Sequence, residues 1–280
     1  MSEIARLNDF GQSPWYDNIT HTLVTGGGLH DLVRDDGIRG VTSNPTIFEK
    51  AISGGEGYDD AIKEAKAAER SIEETFWELA IRDVGGAADV LRPVYDGLDG
   101  HDGFVSIEVS PLLAHDTDAT VEQAAALWKR LDRPNIMIKI PATVEGVPAI
   151  TQTIAAGINV NVTLIFSLDR YAEVMEAYIV GLEQRVARGD DISRVNSVAS
   201  FFVSRVDTEL DRRLPDDSPL RGQAAVANAK LAYEAFRATF AGPRWDALPG
   251  ANLQRPLWAS TSTKNKDYSP TLYVDTLIGP

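Results

Sequence analysis

The chain contains no cysteine, which excludes disulfides and thiolate metal sites. Histidine is scarce. His21, His30, His101 and His115 are the four present, and no two stand in a His-x-His or His-x-x-x-His pair. No dedicated metal site is therefore expected. Nucleotide-binding loops are missing too: Gly26-Gly27-Gly28 lacks the spacing of Gly-x-Gly-x-x-Gly and a preceding apolar strand, and no Walker-type loop occurs. No apolar run approaches the length of a membrane span. The N-terminus shows no basic segment followed by an apolar one, as a secretory leader requires. Positive charge is in deficit, with 27 Lys and Arg against 41 Asp and Glu and a formal net charge of −14. A phosphate backbone wants a basic surface, so nucleic acid is not an expected partner. An anionic small molecule would need local arginines or lysines to hold it against the overall field. These absences fit a cytoplasmic protein that works without metal or cofactor.

What is present is an α/β pattern. Hydrophobic residues make up 44% and charged residues 24% of 280 positions, ordinary for a globular domain. Strand-like segments fall at 13–17, 39–44, 104–110, 135–141, 159–166, 195–204 and 257–260. Helical patterns lie at 58–91, 121–131, 147–156, 169–188, 206–213 and 223–240. Such alternation predicts βαβ units and a parallel sheet. No composition shift marks an internal boundary. At this length a single (β/α) barrel fits better than a doubly wound sheet.

Lys139 stands out. It lies inside Asn135-Ile-Met-Ile-Lys-Ile-Pro141, an apolar, β-branched run that reads as a strand buried on both faces. Lysine is almost never fully buried unless paired or given a task. Desolvation disfavours an ammonium, and a neutral amine in a dry pocket is a nucleophile for carbonyl carbon. The bland alternative is an ion-paired lysine at a strand end.

Side chains alternate along strands, so each strand splits into two faces. Ser106, Glu108 and Ser110 share one face, opposite Val105, Ile107 and Val109. Asn159, Asn161 and Thr163 oppose Val160, Val162, Leu164 and Phe166. Thr42 and Asn44 share a face, and Asp17 ends the first strand segment. In a barrel these polar faces point inward, and active sites gather at the C-terminal strand ends. Two carboxylates and a lysine are costly to bury without a task. A lysine nucleophile, two carboxylates and no metal suggest imine chemistry at a ketone. The iminium serves as electron sink for breaking or forming a C–C bond, and carboxylates move the protons.

These residues match a family. Gly40-Val-Thr-Ser-Asn-Pro-Thr-Ile-Phe48, Ser106-Ile-Glu-Val-Ser110, Ile136-Met-Ile-Lys-Ile-Pro-Ala-Thr143, Asn159-Val-Asn-Val-Thr-Leu-Ile-Phe-Ser167 and Ser200-Phe-Phe-Val-Ser-Arg-Val-Asp207 resemble transaldolase, in order and over essentially the whole chain. Trp258-Ala-Ser-Thr-Ser-Thr-Lys-Asn265 resembles the longer actinobacterial type. The resemblance implies a Schiff-base-forming class I aldolase-type barrel of the pentose phosphate pathway. Such an enzyme moves a dihydroxyacetone unit from sedoheptulose 7-phosphate or fructose 6-phosphate to an aldose phosphate. It also implies roles. Lys139 is the Schiff-base lysine, Glu108 and Thr163 hold a catalytic water, and Asp17 is the acid/base for the cleaved bond. Asn44 and Asn161 bind dihydroxyacetone hydroxyls, with Thr42 alongside. Ser200 and Phe202 line the pocket, and Arg205 with Ser260 binds phosphate.

Two departures matter. Many transaldolases carry a second phosphate arginine two residues after the serine matching Ser260. Ser262 stands there in this chain, and Lys264, the nearest cation, is assigned the role. Family members also continue past a segment like 272–279 into an eighth strand and further helices, whereas only seven inner strands are counted here. The expected fold is a single (β/α)8 TIM-type barrel spanning 1–280, C-terminally incomplete, with the eighth strand missing after residue 280. Open edges would invite pairing with another chain, hence a homodimer, and would lower stability and activity. Residues 272–278 are the stretch that could supply an eighth strand instead. A related family cleaves fructose 6-phosphate and releases dihydroxyacetone. It carries glutamine at the position of Glu108 and tyrosine at that of Phe202, so both residues here favour the transferase. An inactive truncated scaffold is the remaining alternative.

Overall fold

The computed structural model describes residues 2–55 and 57–278. The chain divides into two compact units, Met1–Leu113 with Glu122–Lys139, and Ala114–Val121 with Ile140–Pro280.

The first unit builds strands β1 (Trp15–Tyr16), β2 (Gly40–Thr42), β3 (Phe104–Glu108) and the start of β4 (Ile136–Pro141). They pair parallel in chain order. Its helices are α1 (His21–Thr25), α2 (Gly28–Asp36), α3 (Pro45–Ser53), α4 (Asp59–Ala67), α5 (Ile72–Gly97) and most of α6 (Thr117–Leu131). β1 is two residues long, shorter than the 13–17 expected. Trp15 lies directly under Gly40: a Cβ there would come within 2.2 Å of the Trp15 ring. Only glycine lets the two strands meet at that point.

The second unit begins with the end of β4, where the Ala142 N–H donates to the Thr163 carbonyl at 2.8 Å. It continues through α7 (Gly146–Ala155), β5 (Val160–Ile165), α8 (Leu168–Ala187), β6 (Ser197–Phe202), α9 (Ser204–Asp211), α10 (Ala224–Thr239), α11 (Pro243–Asp246), β7 (Gln254–Ala259) and α12 (Leu272–Leu277). β5, β6 and β7 pair parallel in chain order.

Parallel strands taken in chain order and joined by helices are the (β/α) barrel pattern. Seven strands occur among the described residues, as counted from the sequence. Residues 272–277 form helix α12 rather than an eighth strand. Its Tyr273 is buried with Val203 and Ala225.

Several expected boundaries shift for local reasons. The helix expected at 58–91 is two helices, because Glu69 takes a left-handed φ of 53° and Ser71 starts α5 with a capping box. The Glu74 N–H donates to Ser71 Oγ, while the Glu74 carboxylate accepts from the Ser71 N–H at 2.9 Å. The Ser-x-x-Glu signature marks such a start. Helices α1 and α3 escaped the pattern because they are short and defined by caps, Thr20 for one and Asn44 with Pro45 for the other. β7 begins three residues before the expected segment, since Pro256 within it masks a strand signal. Proline is tolerated on edge strands. The alternation expected along β5 fails at Leu164, where φ is 61° and the register shifts. That bulge leaves Leu164 exposed and ends the regular strand just after Thr163.

Candidate active site

In the first unit, charged side chains stand at the C-terminal ends of three strands, Asp17 after β1, Glu108 on β3 and Lys139 on β4. Lys139 and Glu108 are direct partners in the β3–β4 register, so their side chains leave the sheet on the same face. Lys139 Nζ lies 3.3 Å from Glu108 Oε2, and Lys139 is only 7% exposed. The ammonium also donates to the Ser43 carbonyl at 3.2 Å. Ser43 is buried and is itself held by a 2.8 Å bond from its Oγ to the Ser106 carbonyl. Strand periodicity does not single out Ser43. Simple alternation puts it opposite Thr42, but β2 ends at Thr42 and the chain turns, so its carbonyl faces the lysine.

Asp17 follows β1 directly and is exposed. Thr42 Oγ1 donates to its Oδ1 at 2.5 Å. Asn44 Oδ1 accepts from the Ile47 N–H at 3.0 Å and caps α3, so the side-chain amide is held by the helix it starts. Asn44 and Glu108 also line a largely apolar cavity of about 470 Å³ that reaches Phe48, Phe76 and Trp77. Burial pushes the Glu108 carboxyl above the ordinary carboxylate range, and the Asp17 charge adds to this, while Lys139 opposes it. Burial is the dominant cause.

The second unit places its expected residues in a different chemical setting. Ser200 Oγ donates to Asn161 Oδ1 at 2.8 Å, with both side chains buried. Thr163 is buried at the end of the regular part of β5. Phe202 packs against Phe166 with ring centroids 5.0 Å apart. Arg205, in the first turn of α9, is exposed and lies over the Phe202 ring at 4.9 Å, a cation–π contact. Ser260 Oγ lies 2.8 Å from Ser204 Oγ, and the Ser204 N–H donates to the Ser260 carbonyl. Ser204 is the second group that sequence reasoning missed. Lys264 donates to Ser262 Oγ at 2.7 Å and is exposed.

Fold and side chains together define a parallel α/β enzyme of the barrel type, with a buried lysine paired to a half-buried glutamate at strand ends. The family model described as Transaldolase/Fructose-6-phosphate aldolase matches residues 14–280. A protein named Transaldolase from Saccharopolyspora erythraea is 52% identical over all of this chain and 77% of its own length. Transaldolase 1 of Streptomyces avermitilis is 52% identical over all of this chain and 76% of its own. The Transaldolase of Thermobifida fusca is 51% identical over all of this chain and 78% of its own. The chain belongs to the transaldolase/fructose-6-phosphate aldolase family and is an enzyme of the transaldolase kind. No described helix is long and apolar enough to cross a membrane.

Proposed function

We propose that the chain transfers a dihydroxyacetone unit between sugar phosphates through a Schiff base on Lys139. The donor is a ketose phosphate such as fructose 6-phosphate or sedoheptulose 7-phosphate, and the acceptor is an aldose phosphate. The observation that carries this reading is the buried Lys139–Glu108 contact at 3.3 Å. The amine adds to the donor's C2 carbonyl to give a carbinolamine. Loss of water then gives an iminium, and each step moves a proton. Burial raises the Glu108 carboxyl above the ordinary carboxylate range, and Glu108 is assigned to accept and return these protons. Thr163 is assigned the family role of holding the catalytic water.

Asp17 takes the proton of the C4 hydroxyl. The C3–C4 bond breaks, its electrons flow into the iminium, and an aldose phosphate leaves. The Lys139-bound enamine then attacks the acceptor aldehyde, and Asp17 returns the proton to the new hydroxyl. Hydrolysis frees the product ketose. Asn44 and Thr42 in the first unit, and Asn161 and Ser200 in the second, are assigned to the dihydroxyacetone hydroxyls. Phe202 lines the pocket. Arg205 and Ser260 are assigned to the phosphate, with Lys264 as a further cation. A guanidinium fork suits phosphate oxygens.

Transfer and simple cleavage separate on the acceptor. Incubated with fructose 6-phosphate, the enzyme should release glyceraldehyde 3-phosphate steadily only when erythrose 4-phosphate is supplied. Steady release of free dihydroxyacetone without acceptor would make it a lyase instead.

A further inference from the structure

Asp17 must take a proton from a defined atom. Thr42 holds its carboxylate, yet the backbone that carries it is weakly supported. Its strand is two residues long. The helix after it, α1, has five residues, none of them buried. A helix this short does not hold itself. Ile19 is buried and fixes the depth of the connecting loop, but the loop's direction is set where it meets α1, at His21.

There a polar network takes hold. The His21 N–H donates to the Tyr58 hydroxyl at 2.9 Å. That hydroxyl donates to Asp83 Oδ2 at 2.7 Å. His21 Nδ1 lies 2.8 Å from Asp83 Oδ1, and Arg82 Nε donates to the same oxygen at 3.1 Å. The Arg82 guanidinium also lies over the Tyr58 ring at 5.6 Å. Asp83 belongs to the 26-residue helix α5 and is 1% exposed, and Tyr58 is fully buried. Two glycines let the parts close up. A Cβ on Gly57 would come within 2.8 Å of the His21 ring, and one on Gly86 of α5 within 2.8 Å of Val24 in α1. None of these groups takes part in the imine chemistry. A buried carboxylate with this many partners is costly to build, and the element it ties down is the one that follows Asp17.

We infer that Asp83 and Tyr58 are positioning residues for Asp17: they clamp the start of α1 to α5 through His21 and so fix where the Asp17 carboxylate meets the substrate hydroxyl. This rests on the assignment of Asp17 as the proton acceptor for C–C cleavage.

Tyr58→Phe removes the hydroxyl that joins His21 to Asp83 and keeps the ring. His21→Ala removes the imidazole from a half-buried site and keeps the claim testable should the first variant not fold. Two readouts are taken. Cleavage of fructose 6-phosphate with acceptor depends on Asp17, whereas borohydride trapping with dihydroxyacetone reaches the Lys139 imine without any C–C cleavage. Misplacing a catalytic group by about 1 Å costs up to roughly 10²-fold, so kcat should fall about ten- to a hundredfold while KM stays within about twofold. Trapping should be unchanged. Tyr58→Phe added to Asp17→Asn should slow cleavage no further than Asp17→Asn alone, because residues acting as one unit are non-additive. Unchanged kcat, multiplicative losses in the double variant, or trapping lost in parallel with cleavage would each overturn the inference. Should Asp17→Asn itself cleave normally, the assignment of Asp17 falls first. Should Asp17→Asn be slow and Tyr58→Phe normal, the positioning claim falls alone.

Discussion

In the first unit the strand ends carry charge, with buried Lys139 facing half-buried Glu108 at 3.3 Å and Thr42 bonded to the carboxylate of exposed Asp17. In the second unit the corresponding strand positions are neutral. Asn161 pairs with Ser200 and Ser204 with Ser260, while the cations Arg205 and Lys264 are exposed. The contrast follows the cost of burial. A neutral hydrogen-bonded pair is nearly neutral to bury, whereas a buried ion pair recovers its desolvation cost only with excellent geometry. The exposed fork of Arg244 to Glu176 and Glu183 shows how this chain places ion pairs at little cost, though such pairs contribute little. On the roles proposed above, the charged groups at these strand ends are the ones that move protons, and the neutral donors and acceptors are the ones that hold hydroxyls.

The sharpest way to break that contrast is to neutralise the carboxylate. Glu108→Gln keeps the shape and an acceptor for Lys139 but cannot carry a proton. Turnover should fall by roughly 10²–10⁴-fold with little change in sugar phosphate binding. Steady-state kinetics with fructose 6-phosphate and erythrose 4-phosphate checks this, and an unchanged kcat would return Glu108 to a structural role.

A smaller effect is expected from the second unit. Arg205→Ala removes charge-assisted hydrogen bonds to phosphate, each contributing about 1.5–3 kcal/mol, so KM for phosphorylated donors should rise about ten- to a hundredfold. Use of unphosphorylated dihydroxyacetone should hardly change. Equal effects on both substrates would show that Arg205 has no special relation to phosphate.

The smallest effect concerns stability alone. Asp207 on α9 accepts from the Ala225 N–H and the Tyr273 hydroxyl, each at 2.8 Å. Burial holds its carboxyl above the ordinary range, the Asp211 charge adds to this, and the two hydrogen bonds oppose it. A raised folded-state pKa means that the fold binds this proton more tightly than the unfolded chain. Stability is therefore lost as pH rises from the unfolded value through the folded one. Asp207→Asn has no such dependence, and its amide can keep both partners because a tyrosine hydroxyl also accepts. The variant should gain in melting temperature relative to the parent as pH is raised from about 4 to about 8. A difference independent of pH would contradict the assigned titration.

Much of this was legible in the sequence, for identifiable reasons. Lys139 inside an apolar β-branched run announced itself because lysine and burial conflict. The face carrying Ser106 and Glu108 followed from strand periodicity, and the seven strands from alternation. What failed was local geometry. Nothing in the alternation announced that β2 would end at Thr42 and turn the Ser43 carbonyl toward the lysine, or that Leu164 would bulge out of β5. Pro256 hid the start of β7, and α1 and α3 are too short to show a helical period. His21 stands in no metal-ligand spacing, so nothing local marks it. Its partners Tyr58 and Asp83 lie 37 and 62 residues away, a separation that no local pattern reports.

The most direct test of the central claim is to locate the imine. The enzyme is treated with fructose 6-phosphate and borohydride, digested, and the adduct mapped by mass spectrometry. The added mass of a reduced sugar-derived imine should lie on Lys139 and vanish in Lys139→Met. An adduct on another lysine, or none on an enzyme that still transfers the dihydroxyacetone unit, would contradict the mechanism.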